Sequence, residues 1–151
     1  MTGVCVALCV GYERKCSEDP ASCCDPGAAC IISNGGVLIL CLPACDPLLQ
    51  DCDAQGEGCY PVGDTFQCAP DLSGDKGMPG DPCESVTDCD PGTFCGNPAI
   101  YPGCDPKAAG CCIPFCELDM PVCVDGTECT PWYAMTPPPG HEKLGSCLIP
   151  G

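Results

Sequence analysis

The sequence predicts a small disulfide-rich fold, mostly irregular, with short β-hairpins in two tandem eight-cysteine units and little helix. Three observations carry this expectation. Cysteine supplies 21 of the 151 residues, with 19 Gly and 19 Pro beside it. The cysteines recur at matched intervals along the chain. No window keeps a helical apolar period over about ten residues, because Pro and Gly interrupt every candidate. The hydrophobic fraction of 45% counts the cysteines, and aromatic residues are only 5%. With so few large apolar side chains and a net charge of −16, a chain lacking cross-links would stay unfolded. Bridges must therefore supply what the core cannot.

The chain opens with residues 1–15, read as an arm or a partial repeat. Cys5, Cys9, Cys16 and Cys23 are spaced 4, 7 and 7 apart, the series also found at Cys41, Cys45, Cys52 and Cys59. Unit 1 covers residues 16–68 and holds Cys16, Cys24, Cys30, Cys41, Cys45, Cys52, Cys59 and Cys68. Unit 2 covers residues 83–151 and holds Cys83, Cys89, Cys95, Cys112, Cys116, Cys123, Cys129 and Cys147. The intervals Cys24 to Cys30 and Cys89 to Cys95 are both 6, and Cys41 to Cys45 and Cys112 to Cys116 are both 4. Cys104 and Cys111 flank Asp105-Pro106 at an insertion over residues 96–110 and are expected to close a local loop. Eight cysteines allow on the order of a hundred connectivities, which spacing alone does not resolve. The odd total leaves one thiol free or linked to another chain, with Cys5, Cys9 and Cys23 as the candidates.

Within unit 1, residues 29–32 and 37–42 flank Ser33-Asn34-Gly35-Gly36 and read as a hairpin, since Asn-Gly supplies the positive φ angles of a tight turn. Residues 60–62 and 65–67 form a second hairpin around Gly63-Asp64. One short helical turn is expected near residues 46–50, where Asp-Pro can start it. In unit 2 the matching strands are residues 93–95 with 111–115, and 128–133 with 144–148, joined by longer loops. The repeated Cys-Asp-Pro-Gly is a turn signature. Between the units, residues 69–82 are rich in Gly, Pro and Asp and read as a linker.

Charge and composition narrow the functions. Lys and Arg total 5 against 21 Asp and Glu, so nucleic acid and anionic membranes are poor partners. No apolar stretch is long enough to span a bilayer. Residues 1–12 carry no basic leader, which is read as a signal already removed or a start inside a longer precursor. The single histidine, His141, lies in Pro-Pro-Pro-Gly-His-Glu-Lys and has no evident nucleophile, so no enzyme is expected and no cofactor. Zinc sites favour Cys-x2-Cys, which never occurs here, so a metal thiolate is a minor alternative. Asp46, Asp51, Asp53 and Glu57 crowd one loop and are weak Ca²⁺ candidates. Trp132, Tyr133 and Met135 beside three prolines form a candidate contact patch.

At Cys83-Glu-Ser-Val-Thr-Asp-Cys89-Asp-Pro-Gly-Thr-Phe-Cys95 and Cys111-Cys-Ile-Pro-Phe-Cys116 the chain resembles Dickkopf-type, whey-acidic-protein-type and granulin-like modules. Its tandem style is similar to secreted Cys-rich proteins of predatory deltaproteobacteria. Some of those carry the name ribulose phosphate epimerase. Such an enzyme needs a barrel of about 250 residues rich in branched apolar strands, which this chain does not contain. The resemblance implies an extracellular or cell-surface protein and no functional residue. The expected function is a structural or assembly protein that self-associates into a filament or surface layer. The alternative is a secreted monomeric module that binds another extracellular protein.

Overall fold

The computed structural model of the chain describes residues 7–8, 28–33, 38–63 and 65–151, with side chains from residue 43 onward. Ten short strands are present among them: β1 (Ala7–Leu8), β2 (Ala28–Ser33), β3 (Leu38–Pro43), β4 (Glu57–Val62), β5 (Thr65–Pro70), β6 (Pro82–Cys83), β7 (Thr93–Gly96), β8 (Gly110–Glu117), β9 (Glu128–Pro131) and β10 (Leu144–Leu148). The helical content among the described residues is two 3-10 turns, at Val86–Asp88 and Pro98–Ile100, and the single turn after Asp46. The predicted fold class is the one observed: short antiparallel hairpins held by disulfides.

Each strand pairing follows from local sequence. β4 and β5 run in register from Glu57↔Pro70 to Val62↔Thr65, and their turn opens on Gly63 with φ +60°. That sign suits glycine, which has no Cβ to clash. β2 and β3 pair from Ala28↔Pro43 to Ser33↔Leu38; the Asn34-Gly35 turn anticipated between them lies outside the described residues. The helical turn is capped by Asp46, whose carboxylate accepts the N–H groups of Leu48 at 2.8 Å and Leu49 at 3.4 Å. Gln50 ends it with φ +49°. The Gln50 amide ties it to β4, accepting from the Cys59 N–H at 2.9 Å and donating to the Pro47 carbonyl at 2.7 Å.

The sheets reveal a smaller repeating element than the 65-residue spacing of the two units suggests. Within each unit the second hairpin lies along the last strand of the first. Ala44 at the end of β3 bridges to Gln67 in β5, and Phe115 in β8 pairs with Ser146 in β10. These are matching positions, each one residue before a cysteine: Cys45 and Cys68, Cys116 and Cys147. The Cys45 N–H donates to the Phe66 carbonyl at 3.2 Å where Cys116 opposes Gly145 in unit 2.

Residues 71–81 run between the units hydrogen-bonded on both sides. The Asp71 N–H donates to the Gly56 carbonyl at 2.8 Å, and the Leu72 N–H to the Thr87 carbonyl at 3.0 Å. Gly80 N–H reaches the Cys112 carbonyl, and Cys112 N–H the Asp81 carbonyl, both at 2.9 Å. Gly77 adopts φ +121° within this segment, and a Cβ there would stand 2.6 Å from Ser73 Cβ and 2.8 Å from the Asp90 backbone N. Gly80, at φ +96°, has open space around it. Gly77→Ala is therefore expected to lower stability by at least about 2 kcal/mol, and Gly80→Ala by about 1 kcal/mol. Urea unfolding of the two variants checks the order.

Candidate contact surface and bridge clusters

Fourteen cysteines have described side chains, and all fourteen are bridged: Cys45–Cys59, Cys52–Cys68, Cys83–Cys95, Cys89–Cys112, Cys104–Cys111, Cys116–Cys129 and Cys123–Cys147. Six of these seven form three interleaved pairs. In each pair the first cysteine bonds the third and the second bonds the fourth. The bridges of a pair touch: the sulfurs of Cys45, Cys52 and Cys68 lie within 4.8 Å of one another, as do those of Cys83, Cys89 and Cys95, and of Cys116, Cys123 and Cys147. Three sulfurs at that spacing would suit a thiolate metal site if reduced. Bonded in pairs, they offer no thiolate. Cys5, Cys9, Cys16, Cys23 and Cys24 lie outside the described residues, and so do the side chains of Cys30 and Cys41.

Aromatic side chains meet where the two units face each other. Phe66 from β5 packs edge-on against Phe115 at 5.7 Å and tilted against Trp132 at 5.5 Å between ring centroids. Phe94 and Trp132 form a T-shaped pair at 4.9 Å, and Phe115 and Trp132 approach to 5.4 Å. His141 closes the cluster, perpendicular to Phe66 at 5.3 Å and stacked on Tyr133 at 6.2 Å. The Tyr133 hydroxyl and His141 Nδ1 stand 3.1 Å apart. His141 thus anchors the Pro-rich loop 134–143 on the core. A second tie between the units is the Tyr60 hydroxyl, which donates to the Cys89 carbonyl at 2.8 Å. Burial, and then the charges of Asp71 and Asp90, push the Tyr60 phenol well above its ordinary pKa, so it stays a donor.

The contact-patch and acidic-loop candidates fall within the described residues. Trp132 and Tyr133 are half-buried, while Met135 is 87% exposed at the start of the loop. An open groove of about 230 Å³ runs beside Trp132, lined by Phe94, Ile100, Pro131, Ser146 and Leu148. Met120, Val122 and Val124 are exposed on the loop between β8 and β9. Asp51 accepts the Asp46 N–H at 2.8 Å, so Asp46 and Asp51 both serve the helical turn, while Asp53 is exposed and Glu57 half-buried. Asp88 accepts the N–H groups of Glu84 at 2.9 Å and Ser85 at 2.8 Å. Those bonds hold its carboxyl below the usual range.

Phe66 is the residue that spacing arguments overlooked. The available signal was its alternation with Cys68 on one face of β5, which marks it as inward-facing.

The fold and these clusters define a class: a disulfide-stapled tandem β-hairpin protein whose units share an aromatic core. Comparison with protein-family models, with curated proteins and with solved structures gives no match.

Proposed function

We propose that the chain is a non-enzymatic structural protein of an extracellular or cell-surface setting, and that it associates end to end into a filament or layer. The observation that supports this reading most directly is the repetition of one module. Within each unit the second hairpin adds to the first through main-chain bonds, at Ala44↔Gln67 and at Phe115↔Ser146. A contact made in this head-to-tail manner between chains builds a filament, or a ring where the rotation closes, so a further chain can add in the same way. Edge strands are ready templates for such addition, and among the described residues β9 pairs only with β10. Seven bridges among the described residues suit an oxidising compartment. The charge of −16 keeps the assembly from binding phosphate backbones.

Light scattering over a wide concentration range, without reductant, tests the reading. Growth of the particle with concentration, and filaments or sheets in electron micrographs, are the expected results. A monomer at every concentration would reject assembly. It would favour a secreted binding module, for which the groove beside Trp132 and the exposed Met135 loop are the supporting features. In that case trimming residues 134–143 abolishes binding while the bridges survive.

A further inference from the structure

We infer that Cys30 and Cys41 are bridged to Cys9 and Cys24 respectively, that Cys16 and Cys23 close a short loop, and that Cys5 alone has no partner within the chain. The assignment stands on the register of described strands and on sequence, and is independent of the assembly reading.

Three described hairpins set cysteines opposite one another: Cys59↔Cys68, Cys95↔Cys112 and Cys129↔Cys147. None of these facing pairs is bonded. The first-strand cysteine always bonds the earlier of two upstream cysteines, and the second-strand cysteine bonds the later one. The β2–β3 hairpin sets Cys30 opposite Cys41 in the same manner. By the same rule it requires two upstream partners.

The later partner follows from sequence. Cys24-Asp-Pro-Gly-Ala-Ala-Cys30 matches Cys89-Asp-Pro-Gly-Thr-Phe-Cys95 in length and turn residues. Cys24 therefore corresponds to Cys89, which bonds Cys112, and Cys112 corresponds to Cys41.

The earlier partner is where spacing misleads and register decides. Counting back along unit 1 aligns Cys16 with Cys83. In the sheet, however, Pro82 opposes Cys111 and Cys83 opposes Gly110, two residues before Cys112. On the other side, Ala7 opposes Cys41 and Leu8 opposes Leu40. Ala7 therefore aligns with Asp81 and Leu8 with Pro82, and the next residue in the sequence, Cys9, aligns with Cys83, which bonds Cys95.

Cys5, Cys16 and Cys23 remain. Cys16 and Cys23 enclose Asp19-Pro20, are seven apart and precede Cys24 directly; Cys104 and Cys111 enclose Asp105-Pro106, are seven apart and precede Cys112 directly. The second of these loops is bridged. In both, the loop ends beside a cysteine of the later crossed bridge. Cys23 and Cys24, being adjacent, bond each other only with strain. Each bridge forms as two thiols surrender two protons and two electrons to an oxidised disulfide donor, which leaves as two thiols.

The test is peptide mapping of the unreduced protein, alkylated with N-ethylmaleimide in denaturant. Cys5 is expected to carry the label, or a link to a second chain, and the Cys9 and Cys30 peptides are expected to be joined. The Cys5→Ser variant should take up no label. The double variant Cys16→Ser/Cys23→Ser should keep its Cys9–Cys30 link and expose no new thiol, which also separates the adjacent Cys23 and Cys24. A Cys30–Cys41 link, a Cys16–Cys30 link, or label on Cys9, Cys16 or Cys23 would overturn the assignment.

Discussion

Replacing Cys89 and Cys112 together by alanine is expected to lower stability by about 3.5 kcal/mol, against about 2.5 kcal/mol for Cys104 and Cys111. The difference follows from loop length. The first bridge spans 23 residues and the second only 7, and a longer closed loop removes more entropy from the unfolded chain. Cys89 and Cys112 are also fully buried, so their loss opens a void in the core and adds to the cost. Urea midpoints of the two double variants, measured without reductant, check the order. Full reduction of the wild-type protein is expected to unfold it. Among the residues with described side chains, the core outside the cysteines amounts to little more than Tyr60, Phe66, Phe94, Tyr101, Ile113, Phe115 and Leu144. That is too little apolar area to offset the chain entropy of residues 43–151 on its own. If the reduced protein kept its near-ultraviolet dichroism, the bridges would be ornaments on a self-sufficient core.

Much of the architecture is legible in the sequence because it is written in local chemistry. Gly63 and its neighbour specify a tight turn, and the β4–β5 hairpin forms around it. The Asp46-Pro47 pair starts one helical turn and nothing longer. Bridge partners are less legible, for a physical reason. Cysteines that face each other across a hairpin, such as Cys95 and Cys112, look like natural partners, yet each bonds to a residue upstream. Sequence spacing records separation along the chain, whereas register records separation in space, and the two part company wherever an insertion intervenes. The shared aromatic core is hidden for a related reason. Nothing near Trp132 in sequence announces Phe66, which arrives from the other unit.

Phe66→Ala is expected to cost about 3–5 kcal/mol, as large as the loss of a buried bridge. Phe66 is 3% exposed and touches Phe115, Trp132 and His141 at once. The edge-to-face pairs with Phe115 and His141 contribute beyond their buried area, about 0.5–1.5 kcal/mol each. The effect should also be distinctive in kind. No bridge among the described residues joins unit 1 to unit 2, since Cys45, Cys52, Cys59 and Cys68 pair with one another and the other ten pair among themselves. Among the described residues, the aromatic cluster, the Tyr60 hydroxyl and the bonds of residues 71–81 hold the halves together. Removing Phe66 should therefore separate the units while each keeps its own bridges. Trp132, the single tryptophan, then becomes more exposed, so its emission shifts to longer wavelength. Protease cleavage should concentrate in residues 71–81, releasing two bridged fragments. Phe66→Leu fills most of the same space and is expected to cost less than about 1.5 kcal/mol. Should Phe66→Ala instead unfold both halves together with no cleavage preference, the cluster would be one cooperative core rather than a joint between two stapled units.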